Sequence, residues 1–390
     1  KMEYTNVAFI FPTLSLLSEN LFKIHLSPEY KWVKDNYVIH TLSDKEEISG
    51  RNLFIFTPER FLSFMDKHQE LKFDFFFVDE VYKIDNEYLV DDEQRENERD
   101  VAYRIATQIG MECSRDCLLT GPYIKIDENN PESSIERFLH WGGMSFVDYG
   151  TLEIVGKQEV ELKSSKKIKL PDTQTIINFT SVSKKERFKE LVCSLVNNNE
   201  NVIVYTATKA QVENYARELL ADDLLPDVES ENMGMFLQHL ENLFKNKKGA
   251  QWIVTMALKK GIGVHHGLVP KYIQNEIIDL FNNGVLKVLI STTTITEGVN
   301  TTAKNMVVLS HKKGRKELKP FDAKNIEGRA GRFIHHYMGR VFVFDKEFLT
   351  IKNEATDELG HKFFDRNTPK TSVDIPFIDN CYLTEREISE

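Results

Sequence analysis

The chain has 390 residues, 41% hydrophobic and 28% charged, room for two to three domains at roughly 100–200 residues each with sizeable cores. No apolar run approaches the roughly 18 residues that a membrane span needs, and no secretory pattern opens the chain, so a soluble protein without a membrane partner is expected. The net charge of −10 is uneven, because residues 85–100 hold eight carboxylates and two arginines; that stretch reads as a solvated loop, and the rest is close enough to neutral to leave a local groove for a polyanion open.

In chain order, the first apolar runs are VAFIFPT (7–13), NLFIFTP (52–58), FDFFFVDE (73–80) and CLLTGP (117–122), alternating with helical segments. Near-continuous runs of this length predict parallel strands buried on both faces. A polar residue follows each one, at the carboxyl ends of the strands where an open parallel sheet holds its ligands. Cys113 and Cys117 form a C-x-x-x-C pair, but no second pair lies at zinc spacing, and ordinary thiols are expected in a reducing cytosol, or a nucleus if the cell has one. The polar, lysine-rich stretch 156–175 reads as a linker. The pattern then restarts with NVIVYTAT (201–208), a helix around 209–221, a helical insertion near 232–258, GIGVHHG, VLKVLIST (285–292), NMVVLS (305–310) and GRVFVFD (339–345). The fold expected is α/β, two domains that face each other across a cleft, each a mostly parallel sheet flanked by helices. Residues 1–160 form the first, 161–175 a linker, 176–350 the second, and 351–390, without clear alternation, the start of an accessory region.

Two constellations carry chemistry. Asp79 and Glu80 end an intensely apolar run: a carboxylate there can hold Mg²⁺ through water while its neighbour orients or deprotonates an attacking water. Alone the pair is weak, since helix N-termini also favour acids. The segment NIEGRAGR (325–332) is expected on a loop opening into a helix, where Arg329 and Arg332 present planar guanidinium forks suited to a phosphoryl group gaining charge during transfer. An arginine-rich helix start paired to surface carboxylates is the alternative.

In order, FPTLSLLSEN, TPERFL, VDEVYKI, LLTGP, VIVYTATK, GIGVHHGLVP, STTTITEGVN and NIEGRAGR resemble motifs Ia, Ib, II, III, IV, the stretch before V, V and VI of superfamily 2 DExH-box helicases. GIGVHHG and TEGVN most resemble the Ski-like branch, and the likeness spans roughly residues 7–345. It implies two RecA-like domains, ATP and Mg²⁺ as cofactors, and a motor moving on single-stranded DNA or RNA, with a protein partner in a larger complex. Asp79 and Glu80 match the Mg²⁺-organising and water-activating pair, and Gly328, Arg329 and Arg332 match motif VI, Arg332 as the arginine finger. Glu297 and Gly298 match residues linking the nucleotide to the strand. Pro12, Thr13, Thr57, Pro58, Glu59 and Arg60, with Thr206 and Thr292, match contacts to the sugar-phosphate backbone, which need not read sequence. Thr120, Gly121 and Pro122 match the motif that couples the two sites, as does Tyr82.

The departures matter as much. Tyr82 stands where this branch usually has histidine and carries no charge near neutral pH; Asn325 replaces the usual glutamine. No G-x-x-x-x-G-K-[ST] phosphate-binding loop occurs, and the Gly156–Lys157 pair lacks its spacing and hydroxyl. With Lys1 rather than Met at the start, a piece of a longer helicase, inactive by itself, is the expectation; a duplex-DNA translocase or remodelling motor of a defence or repair complex, and a catalytically dead binding module, are the alternatives. His265 and His266 belong to the matched element rather than to a metal, and His335 and His336 suit a solvated helix end. HKKGRKELK (311–319) is either a strand-separating hairpin or a plain surface loop. Trp32, Trp141 and Trp252 are expected in cores rather than stacked on bases.

Overall fold

The computed structural model describes residues 4–44, 48, 50–85, 98–124, 132–148, 155–162, 166–170, 172–221, 225, 228, 230–244, 252–295, 301, 303–331, 338–354, 359–368, 370 and 372–389. The chain divides into two compact units, Lys1–Thr151 with Thr356–Glu390, and Leu152–Ala355. No helix among the described residues is long and apolar enough to cross a membrane.

The first unit is built on strands β1 (Asn6–Ile10), β2 (Val38–His40), β3 (Asn52–Phe56), β4 (Phe73–Val78) and β5 (Ser114–Leu119), in the spatial order β2-β3-β1-β4-β5. All pairings are parallel, with Val7 opposite Leu53 on one side and Phe75 on the other. Strand β3, NLFIF, is buried along its whole length, which is why its sequence shows no alternation. Beneath the sheet, Phe54, Phe56, Phe61, Phe64 and Phe76 have no exposed surface; at about 1.5–3 kcal/mol for each buried side chain they form a stiff floor under the strand ends. Strand β5 is one of the two outer strands, where Arg115 and Asp116 are tolerated and Leu118 is 48% exposed.

Residues 359–389 differ from the accessory region expected of them: Leu359, Phe363, Ile378 and Leu383 join the core of the first unit. The segment is made of short turns, His361–Phe364, Ile375–Phe377, Asn380–Tyr382 and Glu385–Ser389, each burying isolated apolar residues, so no periodic run announces it.

The second unit holds β6 (Gly156–Glu161), the antiparallel pair β7 (Lys167–Lys169) and β8 (Ile176–Asn178), then β9 (Val202–Tyr205), β10 (Ile262–His265), β11 (Val288–Ser291), β12 (Asn305–Val308), the short pair β13 (Lys312–Lys313) and β14 (Lys316–Glu317), and β15 (Met338–Val343). Its main sheet runs β10-β11-β9-β12-β15-β6, all parallel. Residues 156–161 are therefore an edge strand rather than linker. GKQEVE is polar because one edge and the face of Glu159 and Glu161 meet solvent, while Val160 packs on the core. Arg340, fully buried on β15, is forked onto Asp172 at 2.6 and 2.7 Å and onto Glu200 at 2.6 Å, tying the segment before β8 to the sheet. Both are parallel sheets flanked by helices, as the sequence pattern predicts, and RecA-like, as the resemblance implies. The tryptophans depart from expectation: Trp32 and Trp141 are 60% and 41% exposed, and only Trp252 packs partly into a core.

Candidate functional site

In the first unit, the carboxyl ends of β1, β4 and β5 converge on one turn. The Asp79 amide donates to Ile10 O at 3.1 Å, the Thr120 amide to Val78 O at 2.9 Å and the Val81 amide to Thr120 O at 2.8 Å. Asp79 Oδ1 accepts from Thr120 Oγ1 at 3.1 Å and from the Glu80 amide at 3.0 Å, and no described donor meets Oδ2. Burial pushes the Asp79 carboxyl above its ordinary range, against the two bonds that favour its charged form. Glu80 has φ 59°, a left-handed conformation uncommon for a glutamate, which turns its side chain out of the strand line. Beyond it the chain makes a single 3-10 turn, Val81–Asp85, carrying half-buried Tyr82, with the Lys83 ammonium 5.7 Å from its ring centroid. Gly121 lies exposed beside Thr120. An acceptor-only carboxylate oxygen with no donor among the described residues suits a hydrated divalent cation, so Asp79 fits the role of Mg²⁺ ligand.

The residues expected to touch a strand fall into two kinds. Thr13 and Arg60 are only partly buried, but their polar groups are engaged: Thr13 Oγ1 caps the helix Leu14–Leu26 by accepting from the Leu16 amide at 3.3 Å, and Arg60 Nη1 donates to Thr41 O at 2.9 Å. Pro12, Thr57 and Pro58 are buried, Pro58 at the start of the helix Pro58–Met65. Arg99, hidden in the acidic stretch of the sequence, joins the two groups by donating to Pro12 O and to Glu59 Oε1, both at 3.2 Å.

In the second unit, Thr206 is buried and its hydroxyl donates to Gln211 Oε1 at 2.8 Å, while half-buried Thr292 lies 3.2 Å from the Thr294 hydroxyl. His265 is buried with Nδ1 2.9 Å from Thr294 Oγ1, and burial lowers it to about 4; His266 Nε2 lies 3.6 Å from Glu213. The 311–319 segment is a hairpin. It is tied down beside Thr206: the Gly314 amide at its tip donates to Ala207 O at 2.9 Å, and the Tyr205 hydroxyl donates to Lys312 O at 2.7 Å. At its base the His311 ring is gripped between Asp345 on Nδ1, 2.6 Å, and Glu347 on Nε2, 3.1 Å. The three residues offer ligand atoms within 4.8 Å of one another, while each ring nitrogen already has one carboxylate beside it.

The GRAGR segment corrects the sequence reading. Its described part closes a helix, Pro320–Gly328, with Arg329 as the C-cap. Pro320 and Asp322 are the start signals, and they lie upstream of the motif. Arg329 Nη1 donates to Thr301 O at 3.2 Å. The Gly331 amide donates to Ala303 O at 2.7 Å, with φ 78° at Gly331. Gly339 makes room for this turn, since a Cβ there would lie 2.4 Å from the Ala330 carbonyl. Glu297, Gly298 and Arg332, with His335 and His336, lie outside the described residues. Two residues that sequence reasoning missed hold the acid turn from behind. The Tyr103 hydroxyl donates to Asp79 O, and Arg104 Nη1 donates to Ile84 O at 2.7 Å.

Among known proteins, residues 228–334 match the family described as helicase conserved C-terminal domain. The chain is 26% identical over 341 residues to anti-bacteriophage protein B of Escherichia coli (strain K12), covering 87% of this chain and 41% of that protein. It is 34% identical over 140 residues to superkiller complex protein 2 of Mus musculus, 34% of this chain and 11% of that one. It is also 28% identical over 159 residues to the exosome RNA helicase MTR4 of Homo sapiens, 37% of this chain and 15% of that one. The chain thus spans less than half the length of the curated relatives it matches.

Proposed function

Since this chain belongs to the superfamily 2 DExH-box helicases, in the Ski-like branch, we propose that it is the core of an ATP-dependent motor that couples hydrolysis to movement along a single strand of DNA or RNA. The observation that carries this reading is the Asp79–Glu80 turn bonded to Thr120 at the ends of a parallel sheet. When bound, Mg²⁺ would neutralise charge on the nucleotide's phosphates, with Asp79 holding it through water. Glu80, turned out of the strand line by its left-handed backbone, orients the attacking water and takes its proton. Arg329 and Arg332 are assigned to the γ-phosphate, with Gly328 letting the backbone approach; Glu297 and Gly298 link nucleotide to strand. Tyr82, Thr120 and Gly121 relay the state of the acid turn. Contacts to the sugar-phosphate backbone fall to Pro12, Thr13, Thr57, Pro58, Arg60, Thr206 and Thr292. The hydroxyl of Thr206 donates to Gln211 and its amide to Ser291 O, so a strand contact there needs one of these bonds to be exchanged. We place the motor in the cytosol, or in the nucleus of a eukaryote, within a larger protein complex.

Hydrolysis also needs a phosphate-binding loop, and none of the G-x-x-x-x-G-K-[ST] form lies in these 390 residues. The test is therefore made on a longer polypeptide that carries a phosphate-binding loop, beside the 390-residue chain, which should be inactive by itself. Glu80→Gln and Arg332→Ala should abolish strand-stimulated ATPase, the arginine change costing on the order of 10³–10⁵. A longer polypeptide whose ATPase survives both changes overturns the assignment.

A second reading is favoured by the hairpin. Its tip is tied to its own domain, the Gly314 amide donating to Ala207 O at 2.9 Å. Together with the anti-bacteriophage name of the relative that aligns with most of the chain, this supports a translocase on duplex DNA in a defence complex. ATPase without strand displacement distinguishes it from the first reading.

A further inference from the structure

The Asp79–Asp85 turn is held at both ends by neighbouring residues of the helix Glu98–Glu112: Tyr103 at Asp79 O, Arg104 at Ile84 O. Arg104 is itself fully buried and spent on a partner 270 positions away: Nε meets Asp374 Oδ1 at 2.8 Å and Nη2 meets Oδ2 at 2.7 Å, with both side chains at 0% exposure. Nearby, the Gly360 amide donates to Asp85 and Gln108 Nε2 donates to Phe377 O at 2.9 Å, so the 359–389 segment bears on the turn and on the helix that holds it. A buried ion pair is a poor way to gain stability, since apolar side chains of similar volume do as well or better. What the guanidinium adds is a planar fork with three fixed directions, here two onto one carboxylate and the third onto the carbonyl that ends the acid turn.

We propose that Arg104, fixed by Asp374, is a positioning residue for the Asp79–Glu80 pair, and that the 359–389 segment thereby sets the geometry of the hydrolytic turn. The inference rests on the reading of Asp79 and Glu80 as the acid pair. Displacing residues 372–377 moves the Arg104 fork, the fork moves Ile84 O, and the turn that aims Glu80 moves with it.

Hydrogen exchange on the chain itself tests the positioning without nucleotide. Arg104→Lys keeps a charge for Asp374 but loses the fork; Arg104→Met combined with Asp374→Leu removes both charges and leaves an apolar contact. In both, the amides of Val81 and Lys83 should exchange about tenfold faster or more, as for loss of a hydrogen bond to a charged group, while the β4 amides keep their protection. Unchanged turn amides overturn the proposal. So does acceleration of turn and β4 by the same factor, including outright unfolding, because the pair is then merely structural. In the polypeptide carrying a phosphate-binding loop, the same variants should lose roughly 10–100-fold in kcat, as for residues that orient a metal's ligands, with KM for ATP retained. Glu80→Gln is the separate control: if it keeps full ATPase, the acid-pair reading fails whatever the exchange data show.

Discussion

Replacing Thr120 with valine removes one of the two donors to Asp79 Oδ1 while preserving shape. The bond, 3.1 Å from hydroxyl to carboxylate, favours the ionised form, and burial opposes it. A hydrogen bond to a charged group contributes about 1.5–3 kcal/mol, so its loss should raise the Asp79 carboxyl further from an already elevated position. The sign is fixed: the native carboxyl is left with the Glu80 amide alone against unchanged burial. Carboxyl-carbon NMR titration of the chain, with Asp79→Asn identifying the resonance, measures the shift without nucleotide. The Thr120 hydroxyl also lies 3.3 Å from Val78 O and has only one proton to give. If Thr120→Val leaves the titration where it was, the proton goes to Val78 and the coupling of the two motifs through this bond is refuted.

Three further outcomes are expected. His265, lowered to about 4 by burial from an ordinary 6.5, stays neutral in the native state while the unfolded chain protonates; stability falls as pH drops through 6.5 toward 4, by about 2 kcal/mol between pH 7 and 5. Urea melts of His265→Gln at the two pH values should lack that loss. Gly339→Ala, which would drive a methyl into the Ala330 carbonyl, should cost about 1–3 kcal/mol and lower the Tm of the second unit by about 2–12 °C in calorimetry; a wild-type melt would show that the GRAGR turn is free to shift. Alanine at Lys312, Arg315 and Lys316 together should reduce the slope of log affinity against log salt for a single-stranded oligonucleotide by about 0.7 for each phosphate no longer neutralised, and an unchanged slope removes the hairpin from the binding surface.

Much of the architecture is legible because both-face burial leaves unbroken apolar runs, as in NLFIF of β3 and VIVY of β9. Edge strands carry no such mark: GKQEVE reads as linker because one edge and the face of Glu159 and Glu161 are wet. Motif VI stands out by its glycines and arginines, yet the residues within it suggest a helix on the wrong side, since the start signals at Pro320 and Asp322 lie ahead of the motif. Arg99 looks like part of a solvated acidic run. Arg104 and Asp374 are illegible in principle, because a pair 270 positions apart has no local pattern and each residue alone looks like an ordinary surface charge.

The return of residues 359–389 to the first unit also sets the order in which the protein can be completed on a ribosome. Leu152–Ala355 is contiguous, so it can finish folding as soon as it has emerged. The first unit begins earlier and finishes later: until Asp374 leaves the exit tunnel, it is not there for Arg104 to fork, and Leu359, Phe363, Ile378 and Leu383 are missing from the core. Of the two units, the one that carries the acid pair is thus the later to become native, and a nascent chain truncated before residue 359 would hold a finished second unit and an unfinished first one.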